Sequence, residues 1–281
     1  MTEGSGFTSN PERQQARSMS VETQAAKFVE ARSAAIGFPD YPGPLPADLD
    51  QAYAVQSAEI GQWPDRIAGW KVGRIAPPLV EALGEDRFVG PIFAATVLSA
   101  GAANDFAAIE NGFSAFEAEL VIVASADAPA GKTDWTADEA ADLAGAMHIA
   151  VEVAGGPFAA ANDLGPLTTI ASFGGNNGLI LGAGIADWRA LSFDAIRCTT
   201  TIDGAVAGEA AASAIPGTPI AALAFALART ARMGRPIRKG DLISTGAITG
   251  VHVVRIGQRC TADFGAFGAI ACTVVKAAPR G

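Results

Sequence analysis

Histidine is nearly missing from this chain. His148 and His252 are the only two among 281 residues. Serine and cysteine triads need a histidine as base, and no G-x-S-x-G elbow is present, so those nucleophilic hydrolases have little support. Cysteine is scarce too. Cys198, Cys260 and Cys272 are odd in number and far apart. That argues against a disulfide framework or a zinc site and reads as buried, reduced thiols. Charge is sparse, at 17% of residues, and leans acidic, with a net charge of −9. No basic run occurs, so nucleic acid is not an expected partner, since phosphate binding needs clustered Lys and Arg. No uninterrupted apolar run reaches membrane-spanning length. Residues 1–20 are polar with no apolar core, so they do not read as a secretory signal. They are expected to be a disordered tail, and the protein to be cytoplasmic, with no membrane partner.

What is present is apolar. Hydrophobic residues make up 49% of the chain, enough for a substantial core in one or two domains. Two glutamates interrupt one apolar run, Ala115-Phe116-Glu117-Ala118-Glu119-Leu120-Val121-Ile122-Val123. Side chains alternate along a strand, so Glu117 and Glu119 share a face, with Cα atoms about 7 Å apart. Paired glutamates on the wet face of an edge strand would serve solubility. Here Val121 and Val123 share their face, and a third glutamate, Glu152, also sits in an apolar stretch, Ile149-Ala150-Val151-Glu152-Val153-Ala154. Carboxylates buried without partners are costly, and a hard divalent cation removes the conflict.

Periodicity predicts helices over about 21–36, 48–60, 136–147 and 219–233. Asp48 is a candidate cap for the second, and Thr136 with Glu139 has capping-box spacing for the third. Strands are expected over 67–73, 115–124, 148–154, 178–182, 194–203, 252–256, 259–264 and 268–276. Many short strands with few helices give an α+β protein dominated by sheet, two packed sheets being one arrangement that fits. There is no internal repeat at solenoid periods.

Lys71 lies inside Gly69-Trp70-Lys71-Val72-Gly73. It reads either as a snorkelling surface lysine or, facing the glutamates, as a group that neutralises a substrate carboxylate or moves a proton. His148 stands four residues before Glu152, which leaves a metal role open beside that of a hydrogen-bonded interior histidine. Two loops concentrate backbone amides and polar side chains: Gly174-Gly175-Asn176-Asn177-Gly178, and Ser244-Thr245-Gly246-Ala247-Ile248-Thr249-Gly250. Each is a plain turn or a pocket wall with N–H and O–H donors suited to a carboxylate.

Taken in order, Gly69-Trp70-Lys71-Val72-Gly73, Phe116-Glu117-Ala118-Glu119-Leu120, Val151-Glu152-Val153 and Gly240-Asp241-Leu242-Ile243-Ser244-Thr245-Gly246 resemble the 2-keto-4-pentenoate hydratases of the fumarylacetoacetate hydrolase superfamily. The resemblance spans roughly residues 45–276. It implies a mixed β-sandwich or β-roll core, residues 67–281, behind a helical region, residues 21–66. It implies Mg2+ or Mn2+ held by Glu117, Glu119 and Glu152, with a small 2-oxo acid bound through its carboxylate and keto oxygens. Lys71 would lie near that carboxylate and the migrating proton. Asp86 is the nearest match to the family's aspartate after the lysine motif. Thr249 is the best match for a carboxylate contact. The assembly would be a dimer or larger homo-oligomer.

The implied reaction is hydration of a 2-hydroxydienoate or 2-oxo-pentenoate type acid. Decarboxylation of an oxalocrotonate-like acid would use the same residues. Acylpyruvate C–C hydrolysis needs a base for water, for which His148 is the candidate, and a non-catalytic partner homologue is a further alternative. The chain departs from the family where the substrate tail should bind. Glu152 is followed by Val153-Ala154-Gly155-Gly156-Pro157 in place of an Asp-Ser-Arg-like segment, and Asn176 and Asn177 stand where serines are usual.

Overall fold

Ser20 opens the first helix by accepting from the Thr23 N–H at 3.3 Å, and Asp48 opens the second by accepting from Gln51 at 2.8 Å. The computed structural model describes residues 20–280. The segment expected to be a disordered tail therefore lies outside the described residues, apart from Ser20. The elements run α1 (Val21–Ala34), α2 (Leu49–Gln62), β1 (Ile67–Arg74), α3 (Pro77–Leu83), β2 (Arg87–Phe93), β3 (Val97–Ser99), β4 (Asn104–Ala108) and β5 (Phe113–Ala124). They continue with α4 (Ala137–Leu143), β6 (Ala144–Gly156), α5 (Pro166–Ile170), β7 (Asn176–Gly184), β8 (Arg197–Ile202), β9 (Ala205–Ala211) and α6 (Thr218–Arg232). The chain closes with β10 (Leu242–Ser244), β11 (His252–Val253), β12 (Arg259–Asp263) and β13 (Ala269–Lys276).

Two mixed sheets form the body. The larger has the order β2-β1-β10-β5-β6-β7-β3, with β11 also paired to β5. The smaller has the order β4-β13-β12-β8-β9. The architecture is the α+β arrangement of curled sheets expected, with small helices at the N-terminal end. Pro91 sits in β2, at the edge of the larger sheet, where its missing N–H breaks no interior ladder. At the far side of the smaller sheet β9 is exposed along most of its length, Val206 at 64%. None of the described helices is long and apolar enough to cross a membrane.

One expected helix is corrected. The capping box at Thr136 and Glu139 is present, but α4 stops at Leu143 rather than 147. Ala144 is already extended, and residues 144–147 pair with β5, Ala144 opposite Ala124 and Met147 opposite Ile122. Pairing buries Met147, Ile149 and Val151 completely or nearly so. That burial outweighs the weak helix preference of a short Ala-rich run. The strand expected over 252–256 shrinks to His252–Val253, and β2, β3, β4, β9 and β10 were not anticipated.

The main core lies on one side of the larger sheet, where α6 buries Ala222, Leu223, Ala226 and Leu227. A smaller apolar cluster, Ile92, Val121, Ala150 and Leu179, sits apart from it. Polar links tie the N-terminal helices to the sheet: Gln56 donates to the Val89 and Ile170 carbonyls at 3.0 and 2.9 Å, and the Phe173 N–H donates to Glu59 at 3.0 Å. The three cysteines are buried and free, and burial raises their thiols, Cys260 to about 11.

Candidate metal centre and active site

The site is a product of register. In the antiparallel β5–β6 pair Glu117 stands directly opposite Glu152, and Glu119 opposite Ala150. Val121 pairs with Ser244 on β10, and Ser244 pairs with Lys71 on β1. Directly opposed residues share a face, so Lys71, Ser244, Glu119, Glu117 and Glu152 gather on one side of four neighbouring strands. Val121, Ala150 and Leu179 lie on the same face and give the carboxylates an apolar floor.

Carboxylate oxygens of Glu117, Glu119 and Glu152 lie within 4.8 Å of one another. All three residues are buried, Glu119 and Glu152 to 1% exposure. Two of them are held in the same way. Glu119 Oε2 accepts from the Ser244 hydroxyl and from the Gly246 N–H at 3.0 Å, while Oε1 has no partner among the described residues. Glu152 Oε1 accepts from Asn176 Nδ2 at 2.9 Å, while Oε2 has none. Lys71 Nζ lies 3.7 Å from Glu152 Oε1 and 4.9 Å from the Phe88 ring centre.

The charges are unbalanced. Burial, then the neighbouring Glu152 charge, pushes Glu117 up to about 8, with Lys71 pulling the other way. Burial and the charges of Glu152 and Glu117 raise Glu119 well above the carboxylate range, against its bonds from Ser244 and Gly246. For Lys71, burial opposes the ammonium, but Glu152, Glu117 and Glu119 together outweigh it and raise its pKa. One ammonium against three carboxylates leaves room for a divalent cation. Hard oxygen donors, two of them unpartnered and fixed by outer hydrogen bonds, are a donor set such an ion takes.

A cavity of about 440 Å³ opens over this floor, lined by Lys71, Phe88, Glu117, Gly156, Ser172 and Gly246 among others. The remaining candidates fall differently. Asn176 supports Glu152 from behind. Asn177 faces away from the cavity, accepting from Arg32 at 2.6 Å and donating to the Ala107 carbonyl at 2.8 Å. Thr249 shares its hydroxyl with Thr200 at 2.7 Å and His252 at 3.1 Å and does not line the cavity, whereas Thr245, Gly246 and Ala247 do. Asp86 is exposed, ion-paired with Arg87, and outside the lining. His148 bonds the Gly182 carbonyl at 3.0 Å and belongs to neither the carboxylate group nor the lining.

Sequence reading missed Arg32, Glu59 and Ser172. Arg32 lies in a helix whose partners are some 145 residues away, and no local pattern signals such a contact. Ser244 and Gly246 stood inside the hydroxyl-rich loop singled out above, but the spacing to Glu119 across β10 is invisible before the strands are paired.

Comparison with known proteins places the chain among relatives of one fold. The family model for the fumarylacetoacetate (FAA) hydrolase C-terminal domain matches residues 86–275. A protein of Paraburkholderia phymatum named 2-keto-4-pentenoate hydratase is 27% identical over 261 residues, covering 89% of this chain and 95% of its own. The structure of 4-oxalocrotonate decarboxylase from Pseudomonas putida G7, complexed with magnesium and adipate, superposes with a TM-score of 0.75 at 20% identity, covering 92% of this chain and 100% of that one. Fumarylpyruvate hydrolase from Pseudomonas aeruginosa, complexed with Mn2+ and pyruvate, gives a TM-score of 0.52 at 18% identity, covering 76% and 91%. With its family match reaching over two-thirds of its length and its glutamates gathered on one sheet face, this chain belongs to the fumarylacetoacetate hydrolase family.

Proposed function

We propose that the protein is a divalent-metal-dependent hydro-lyase acting on a short 2-hydroxydienoate or 2-oxo-pentenoate type acid. The observation that carries this reading is the trio of buried carboxylates with two unpartnered oxygens beside one buried lysine at the floor of a cavity. Glu117, Glu119 and Glu152 would hold Mg2+ or Mn2+. When bound, such an ion acts as a Lewis acid toward a 2-oxo acid's oxygens. The name of the Paraburkholderia phymatum relative, similar over nearly the whole chain, supports the reaction type.

The chain's own residues supply the rest. Lys71 brings a proton on Nζ and a positive charge to the floor, suited to holding a substrate carboxylate and to passing a proton to or from carbon. Ser244, Gly246 and Asn176 keep two carboxylates in fixed orientation. Phe88 shields Lys71 on one side. Thr245, Gly246 and Ala247 place a hydroxyl-bearing loop at the wall, a role first given to Thr249. Decarboxylation of an oxalocrotonate-type acid would use the same floor, and the 4-oxalocrotonate decarboxylase fold match favours it as the second reading. His148, the candidate base for C–C hydrolysis, does not line the cavity.

The catalytic unit would be residues 67–281, with the helices of 21–66 docked on it, working in the cytoplasm as a homo-oligomer. Three free cysteines suit a reducing compartment, and the exposed β9 edge suits assembly. The deciding experiment is Glu119→Gln. Divalent binding measured by calorimetry and turnover of 2-hydroxypenta-2,4-dienoate are both expected to vanish. Full metal affinity in that variant would refute the centre.

A further inference from the structure

Asn176, which tethers Glu152, follows a strained turn. Phe173, Gly174 and Gly175 have φ of 52°, 62° and 72°, three left-handed residues in succession. Glycine adopts that conformation freely, and a bulky side chain such as phenylalanine does not. Such a turn persists only where its surroundings over-determine it. The Gly175 N–H closes it on the Ser172 carbonyl at 2.9 Å. Three further restraints come from the N-terminal helical region. Glu59 on α2 accepts the Phe173 N–H at 3.0 Å. Trp63, which ends α2, meets the Phe173 ring edge-on at 5.6 Å between centres. Arg32 on α1 lays its guanidinium 4.8 Å from the centre of the same ring.

Arg32 also holds the residues that follow the turn. Its Nη1 donates to the Asn176 carbonyl at 3.0 Å and to Asn177 Oδ1 at 2.6 Å. Asn176 Nδ2 in turn donates to Glu152 Oε1 at 2.9 Å, and Glu152 Oε2 is left free. From α1 to the carboxylate the path is therefore two hydrogen bonds with one asparagine between them. Arg32 is only 8% exposed and Glu59 fully buried, yet neither lines the cavity. Charged groups are seldom buried so deeply without partners to hold. Both stand before residue 86, where the family match begins.

We propose that Arg32 is a positioning residue for the metal centre: it fixes the backbone of Asn176 and, through the Asn176 amide, aims Glu152 at the cation. Glu59 assists by holding the turn at Phe173. The inference rests on the metal-lyase reading. It gives the N-terminal helices a part in a site whose cavity Arg32 and Glu59 do not line.

The test is a double-mutant cycle on the full chain, with Mg2+ affinity read by calorimetry and the thermal midpoint read in EDTA. Asn176→Ala removes the tether and should weaken Mg2+ binding by about 10- to 100-fold. Arg32→Met keeps an unbranched stem and removes the donors, and should weaken Mg2+ binding by about tenfold. Added to Asn176→Ala, Arg32→Met should cost less than about twofold more, because the amide it acts through is gone. A merely structural role gives a lowered midpoint with Mg2+ affinity intact, or losses that multiply, and either result overturns the proposal. If Arg32→Met does not fold, Arg32→Lys carries the test. It keeps a charge near Glu59 but lacks the planar group that stacks on Phe173 and reaches both asparagines, so the same loss and the same non-additivity are expected. A native chain that binds no Mg2+ would bring down the metal-lyase reading and this role together. Native binding with losses that multiply would leave that reading standing and remove the role of Arg32 alone.

Discussion

Glu119 and Glu152 each have one oxygen tethered and the other free. Tethering one oxygen removes the freedom a carboxylate would otherwise lose on binding an ion. Ser244→Ala leaves Glu119 with one tether in place of two. It should weaken Mg2+ binding by about 10- to 100-fold with little change in fold, measured by calorimetry alongside the thermal midpoint. The pH response follows from Glu117. Its pKa is about 8 when folded, against an ordinary value of 4.5. The folded state therefore holds a proton that the unfolded state has released, and its stabilising effect is complete below about 4.5 and lost as pH climbs through about 8. EDTA-treated protein should show a thermal midpoint that falls from about pH 6 to about pH 9, and Glu117→Gln should flatten that slope. A midpoint rising over the same range would mean that Glu117 is ionised in the metal-free protein. The three glutamates and Lys71 could be read from the chain because a charged residue in an apolar strand is conspicuous. Ser172 and Arg32 are ordinary in sequence and acquire meaning only through packing.

At the scale of elements, β1 and β10 run so close that Gly69 is required. A Cβ on Gly69 would run into the Leu242 carbonyl. Gly69→Ala should force β10 from β1, separate Lys71 from Ser244 and cost more than about 2 kcal/mol, read by chemical denaturation. It should also lower Mg2+ affinity, because Ser244 moves with β10. Strands β5 and the inner part of β6 were legible from their apolar runs. Strand β2 was hidden by Gly90-Pro91, a pair that signals a turn everywhere except at a sheet edge. Strand β10 has three residues, Leu242–Ser244, too few for any periodicity to show. The overrun at α4 has the opposite cause: its alanines favour a helix locally, while Met147 gains more by burial in a strand.

At the scale of the whole molecule, a cation at the carboxylates would be part of the fold's stability. An ion that binds the folded chain alone adds about 2.7 kcal/mol at a hundred times its dissociation constant. For a chain of this size that corresponds to a rise of roughly 5 °C in thermal midpoint. Scanning calorimetry with EDTA and then with excess Mg2+ should show this rise in the native protein and none in Glu119→Gln. A midpoint indifferent to both would place the ion elsewhere or nowhere.

The two sheets end differently. The larger is closed off at β2 by Pro91, which cannot offer a donor to a passing strand. The smaller ends at β9, made of Ala205, Val206, Ala207, Gly208, Glu209, Ala210 and Ala211, with one charge and no proline. On dilution or partial heating, chains left without a neighbour would clump through β9 first, and a single lysine among its outward residues would act as a gatekeeper for shelf life as much as for assembly.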